Sequence, residues 1–158
     1  MLEFTNEQFE GMKTKGETFY KNLVEVYCPY FQEKIHFNAR GLEHLKFKKK
    51  NFARSREDQY IRFKLLHLVP EVLKLSKTVQ GISHTKSFEF IRSGARTEQK
   101  LLPVSYYEFI AVLKDVRVRI IVKQIEEAPK FFWSIIPFWK VNKQTMQRKM
   151  HSGNLEMD

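Results

Sequence analysis

Apolar residues in the first half of the chain recur at helical spacing, whereas those in the second half alternate with polar ones. Thr5-Asn6-Glu7-Gln8 has capping-box spacing, and Phe9, Met12, Phe19, Leu23 and Val26 follow on one helical face. The pattern predicts one helix interrupted near Gly16, or two short ones, running to about Tyr27 and ended by Cys28-Pro29. Lys34–Asn38, where Ile35 and Phe37 alternate with polar neighbours, predicts a short strand. Residues 40–50 predict a helix with Leu42 and Leu45 inward and Glu43, Lys46 and Lys49 outward. Glu57-Asp58 opens another helix, its acids suited to the positive end of the dipole. Its apolar stripe is Ile61, Leu65, Leu68 and Val69, and Pro70 breaks or kinks it.

Beyond residue 78 the period becomes two. Ser87–Arg92, Val104–Leu113, Val116–Ile125 and Phe131–Phe138 predict strands, with turns at Leu113-Lys114-Asp115 and Glu127-Ala128-Pro129. Close spacing implies an antiparallel meander. The expected fold is therefore α+β, N-terminal helices packed on a C-terminal antiparallel sheet of three or four strands. The chain divides into a helical N-terminal extension (1–33), an α+β body (34–140) and a polar C-terminal tail (141–158) with a short helix.

Composition sharpens this picture. The 158 residues suit one compact domain, and 14 Phe, 6 Tyr and 2 Trp supply an aromatic core or face. Cys28 is the one cysteine, so no intramolecular disulfide forms, which fits a reducing, cytoplasmic compartment. The early acids Glu3, Glu7 and Glu10 do not suit a secretory signal, and the apolar stretch Phe131–Trp139 is too short to span a bilayer. A soluble protein with no membrane partner is expected. Net charge is +10, and residues 1–33 hold six acids against three lysines, so the remainder carries +13. A body this basic attracts phosphate backbones.

Lys46, Lys48, Lys49, Lys50, Arg54 and Arg56 fall in an acid-free run with Phe47 and Phe52 interleaved, a density suited to nucleic-acid phosphates and base stacking. In Val116–Ile125, alternation puts Val118, Ile120 and Val122 on one face and Arg117, Arg119 and Lys123 on the other, where cations meet either solvent or an anionic ligand. His44, with Glu43 beside it and Arg40 one turn earlier, is the best-placed histidine for proton transfer. His36 lies opposite a core face, His67 reads as packing, and His84 and His151 read as loop and tail residues. No zinc spacing or glycine-rich phosphate loop occurs, and Glu98-Gln99-Lys100, with Asp58 upstream, is a weak match to a magnesium nuclease motif, read as a loop. No metal or cofactor is called for. RNA cleavage suits this equipment, because the ribose 2′-hydroxyl is the nucleophile and the enzyme need only position it, move protons and neutralise charge.

The order of elements resembles the barnase, colicin and RelE group of ribonucleases, and most closely their phage- and toxin-associated PBECR relatives. The resemblance is carried by Ile35-His36-Phe37 leading into Gly41-Leu42-Glu43-His44-Leu45, by Leu68-Val69-Pro70-Glu71-Val72, and by the last strand Phe132-Trp133-Ser134-Ile135-Ile136. It covers roughly residues 34–140, and the acidic extension and the dense lysine run depart from it. It implies an endoribonuclease toxin with His44 as proton-transfer residue, Arg119 or Lys123 as phosphate cation, Ser134 as a substrate contact, and an acidic antitoxin or immunity protein as partner. Two other functions fit the residues: a non-catalytic RNA- or DNA-binding module, which needs only charge and aromatics, and a structural or membrane-surface protein using Phe131–Trp139.

Overall fold

The computed structural model describes residues 3–137 and 154–158. It is α+β, with elements in the order α1 (Asn6–Leu23), β1 (Glu25–Cys28), β2 (Glu33–His36), α2 (Ala39–Lys46), β3 (Phe47–Lys49), β4 (Phe52–Ala53), α3 (Arg56–Leu65), α4 (Leu68–Leu75), β5 (Gly81–Ser93), β6 (Arg96–Leu113), β7 (Val116–Ile125) and β8 (Phe131–Pro137). The capping box at Thr5 and Gln8 forms as the spacing predicts. α1 then runs uninterrupted through Gly16, because Phe63 of α3 packs there: a Cβ at Gly16 would lie 2.5 Å from its ring.

Among the described residues the main sheet has six strands in the order β1-β2-β8-β7-β6-β5, more than the three or four expected. The expected meander is β5 to β8, antiparallel throughout, with its β6–β7 turn at Lys114-Asp115, both at positive φ. The additional two strands come from the N-terminal third, where β1 and β2 pair antiparallel and β2 joins β8 in parallel. Residues 25–28, read from spacing as the end of a helix, are therefore strand. The boundary expected after residue 33 falls at this hairpin, and Tyr20, Val26 and Cys28 belong to the main core, so 1–33 is no separate extension.

The helix expected over 40–50 stops at Lys46, and Phe47–Lys49 turns back as a small hairpin with β4. The helical run is interrupted at Leu66–His67, four and three residues before Pro70, which itself sits in the first turn of α4, where the N–H it lacks has no helical partner. The buried residues of α3 are Asp58, Arg62 and Phe63; of the expected stripe Ile61, Leu65, Leu68 and Val69, the last two are buried in α4, Leu65 packs against the core and Ile61 is half-buried. His67 is exposed rather than packed, and Glu98–Lys100 lies within strand β6 rather than a loop. Phe138, Trp139, His151 and the tail helix fall outside the described residues.

One face of the sheet carries the main core: Phe109, Val118, Ile120, Val122, Phe132 and Ile135 meet Leu45, Phe63, Leu66 and the apolar face of α4. The other holds a smaller cluster, Val104, Tyr106, Ile121 and Ile136, against which Trp133 and Leu155 pack. β7 thus presents Val118, Ile120 and Val122 to the main core, as its alternation predicts. Among the described residues, no helix is long and apolar enough to cross a membrane.

Candidate nucleic-acid interface and active site

Helix α2 is positioned by its own first turn. Asn38 caps it by accepting from the Gly41 N–H at 3.1 Å. Gly41 lets the helix lie on β8, since a Cβ there would come 2.4 Å from the Phe132 carbonyl oxygen and from the Tyr20 hydroxyl. His44 then stacks on Trp133, ring centroids 3.9 Å apart. Trp133 is displayed by a β-bulge: Ile121 pairs with Ser134 and Val122 with Phe132, leaving Trp133 as the extra residue. Bulges re-aim side chains in this way.

Behind this pair lies a buried charged cluster. Arg54 donates through Nε to the His44 carbonyl at 2.8 Å and through Nη1 to Asp58 Oδ2 at 3.3 Å, and its Nη2 lies 3.0 Å from His44 Nε2. Arg62 donates through Nε to Asp58 Oδ1 at 2.5 Å and through Nη1 to Ser134 Oγ at 2.7 Å. Both arginines also reach the Asp158 main-chain oxygen, at 3.1 and 2.5 Å, and Ser134 Oγ donates to it at 2.7 Å. Arg62 is fully buried, and its Nη2 has no hydrogen-bond partner among the described residues. Burial, and then the neighbouring Arg62, lower the Arg54 pKa to about 10.

His44 is 3% exposed. Burial first, then the charges of Arg54, Arg62 and Lys123, hold its imidazole well below the usual histidine range, so the ring is neutral at pH 7. Because arginine only donates, Nε2 is the acceptor in the Arg54 contact. The lowered value makes stability pH-dependent. The unfolded chain takes up this proton below about pH 6.5 and the folded ring resists it, so stability is full above that pH and falls as pH drops toward the folded value. Denaturant melts between pH 7.5 and 5 should show this loss, and His44→Gln should reduce it. An unchanged pH slope in His44→Gln would contradict the assigned charge state.

Lys123, also buried, meets Glu89 Oε1 at 2.8 Å and lies 4.0 Å from the centre of the Trp133 ring. Burial lowers its pKa, partly offset by Glu89. Glu89 also accepts from Ser87 at 2.6 Å and from Arg40 at 3.4 Å. Next to this cluster opens a cleft of about 490 Å³, bordered by Arg40, His44, Phe47, Lys48, Lys49, Lys50, Phe90 and Trp133.

Of the residues singled out by sequence, His44, Lys123 and Ser134 thus come together, with Arg54 behind them and Arg40 and Lys48–Lys50 at the cleft. Arg119 does not join them. It projects from the same sheet face as Lys123 but four residues away, about 13 Å along a strand, and its guanidinium grips Glu108 at 3.0 and 2.8 Å. One phosphate cannot be held by both. Arg117 is exposed near the far end of β7. Lys46 sits between Glu17 and Glu43, and Arg56 bonds Asn6 at 2.5 Å and covers Phe9, so both tie helices together. Sequence reasoning missed Arg62 and Asp58 as site residues, although Arg54, Asp58 and Arg62 recur every four residues, the spacing of one helix face.

Comparison with family models, with curated proteins and with solved structures finds no match. Function therefore rests on the site. Lys48, Lys49 and Lys50 rim the cleft, and salt should show their engagement: single-stranded RNA binding in the triple alanine variant should lose about two units of log–log salt slope. An unchanged slope removes these lysines from the binding face.

Proposed function

We propose that the protein binds single-stranded RNA in the cleft and cleaves it without a metal, the ribose 2′-hydroxyl attacking the adjacent phosphorus. The observation that carries this reading is the convergence of two buried arginines and Ser134, with Asp58 as the carboxylate between them, beside a basic cleft walled by Phe47, Phe90 and Trp133. Such a cradle suits the oxygens of a phosphate on which charge builds. As the 2′-O–P bond forms and the P–O5′ bond breaks, the products are a 2′,3′-cyclic phosphate and a 5′-hydroxyl end. His44, neutral at pH 7, takes the 2′-hydroxyl proton on Nε2 once Arg54 turns its Nη2 to the phosphate; Lys123 offsets the developing charge, and the 5′-oxygen leaves with a proton from water. The resemblance to PBECR domains points the same way. In this reading the protein is a cytoplasmic toxin, and an acidic antitoxin or immunity protein fits the same basic cleft.

A specific observation favours a second reading, a non-catalytic RNA-binding module: in this arrangement His44 Nε2 is already engaged by Arg54. Incubation of total RNA with the protein in EDTA separates the two. Fragments support the ribonuclease, and binding without fragments supports the module.

A further inference from the structure

The arginine cradle is occupied by the chain itself. The Asp158 main-chain oxygen accepts from Arg54, Arg62 and Ser134, and the Met157 carbonyl accepts from Arg54 at 2.9 Å. Upstream, the Leu155 carbonyl accepts from Trp133 Nε1 at 2.9 Å, and the Leu155 side chain packs with the apolar cluster on that sheet face. Residues 154–158 are thus fixed by an apolar anchor at one end and buried donors at the other.

The segment is also acidic. Glu156 places negative charge near Lys123, and Asp158 near Arg54. The cations expected to meet an RNA phosphate therefore face carboxylates and carbonyl oxygens of the chain. The fit is incomplete, because the buried Nη2 of Arg62 has no hydrogen-bond partner among the described residues. A phosphate oxygen can supply the acceptor that Arg62 Nη2 lacks, so an RNA backbone has something to gain by displacing the segment.

We propose that residues 154–158 are a built-in competitive inhibitor, an acidic plug that must leave the Arg54–Arg62–Ser134 cradle before an RNA phosphate enters it. This rests on reading the cradle as the phosphate site. A plugged protein binds RNA more weakly by the fraction of time the cradle is open.

The test uses a fluorescently labelled 2′-O-methyl RNA, which presents phosphates but lacks the attacking hydroxyl, so binding is measured apart from cleavage. Anisotropy titrations at fixed salt compare the full chain, a chain lacking 154–158, and Leu155→Asp, which removes the anchor but keeps the length. Both variants should bind about tenfold more tightly or better. Arg62→Lys in the shortened chain should cancel the gain, and an end-blocked peptide of residues 154–158 should compete with the RNA. An unchanged Kd in folded Leu155→Asp overturns the proposal, as does a failure of both variants to fold, which makes the segment a structural strut. Cleavage of unmodified RNA, assayed in parallel, keeps the two ideas apart. Tighter binding with no cleavage by any variant upholds the plug and rejects the ribonuclease; equal cleavage and equal Kd in all variants do the reverse.

Discussion

Asp58→Asn should destabilise the protein by about 3–5 kcal/mol, the usual cost of removing one partner from a buried ionic cluster. Asp58 lies between Arg54 and Arg62 and accepts from each at 3.3 and 2.5 Å. All three side chains are almost wholly buried. Asparagine keeps the shape but removes the charge and offers one oxygen where the carboxylate offered two, so two guanidinium groups repel each other in a dry environment. For a domain of this size each kcal/mol moves the melting temperature by about 2–4 °C, so Tm should drop by roughly 10 °C. The control is Asp115→Asn, in the exposed β6–β7 turn, which should stay within about 0.5 kcal/mol. Equal melting of the two variants would show that the cluster does not depend on its carboxylate.

The largest effect on turnover is expected from Arg62. Its guanidinium spans two jobs, holding Asp58 through Nε while Nη1 reaches Ser134 and the oxygen of Asp158. Lysine keeps the charge but cannot span both, so Arg62→Lys should lower RNA cleavage by about 10²–10³-fold, as loss of a preorganised donor does. Arg119→Lys is the matched change on the same protein. Arg119 is committed to Glu108, and the change should leave cleavage, corrected for the folded fraction, within about twofold. Melting curves on the same samples correct each rate for the folded fraction. A loss of turnover in Arg119→Lys with normal cleavage by Arg62→Lys would move the phosphate site along β7 and away from α3.

These two arginines mark where sequence pattern informs and where it does not. The alternation in Val116–Ile125 assigned both faces of β7 correctly, because strand periodicity is local. It placed Arg119 and Lys123 on one face, yet could not show that each already has its own glutamate, Glu108 on the adjacent β6 and Glu89 on β5, one strand further. His44 stood out by its cationic neighbours, and Ser134 through the family resemblance. Arg62 was invisible to the same reasoning, which ranks charged residues as solvent-facing, and Asp58 was read as a helix-opening acid rather than as the partner of two arginines. Arg62 is buried with partners 72 and 96 residues away in the chain, Ser134 and Asp158. Of the sheet edge, alternation gave β2 as a strand but missed β1: each is four residues long, and the parallel pairing of β2 with β8 is a long-range choice that short alternation cannot specify.

The central claim is that the substrate's own 2′-hydroxyl is the nucleophile. The most direct test is a DNA oligonucleotide with a single ribonucleotide at one internal position, incubated with the protein in EDTA. Cleavage should occur only 3′ to that ribonucleotide, leaving a 2′,3′-cyclic phosphate and a 5′-hydroxyl, while the all-DNA strand and the 2′-O-methyl version stay intact. Cleavage of the all-DNA strand, or products with a 5′-phosphate, would contradict the account.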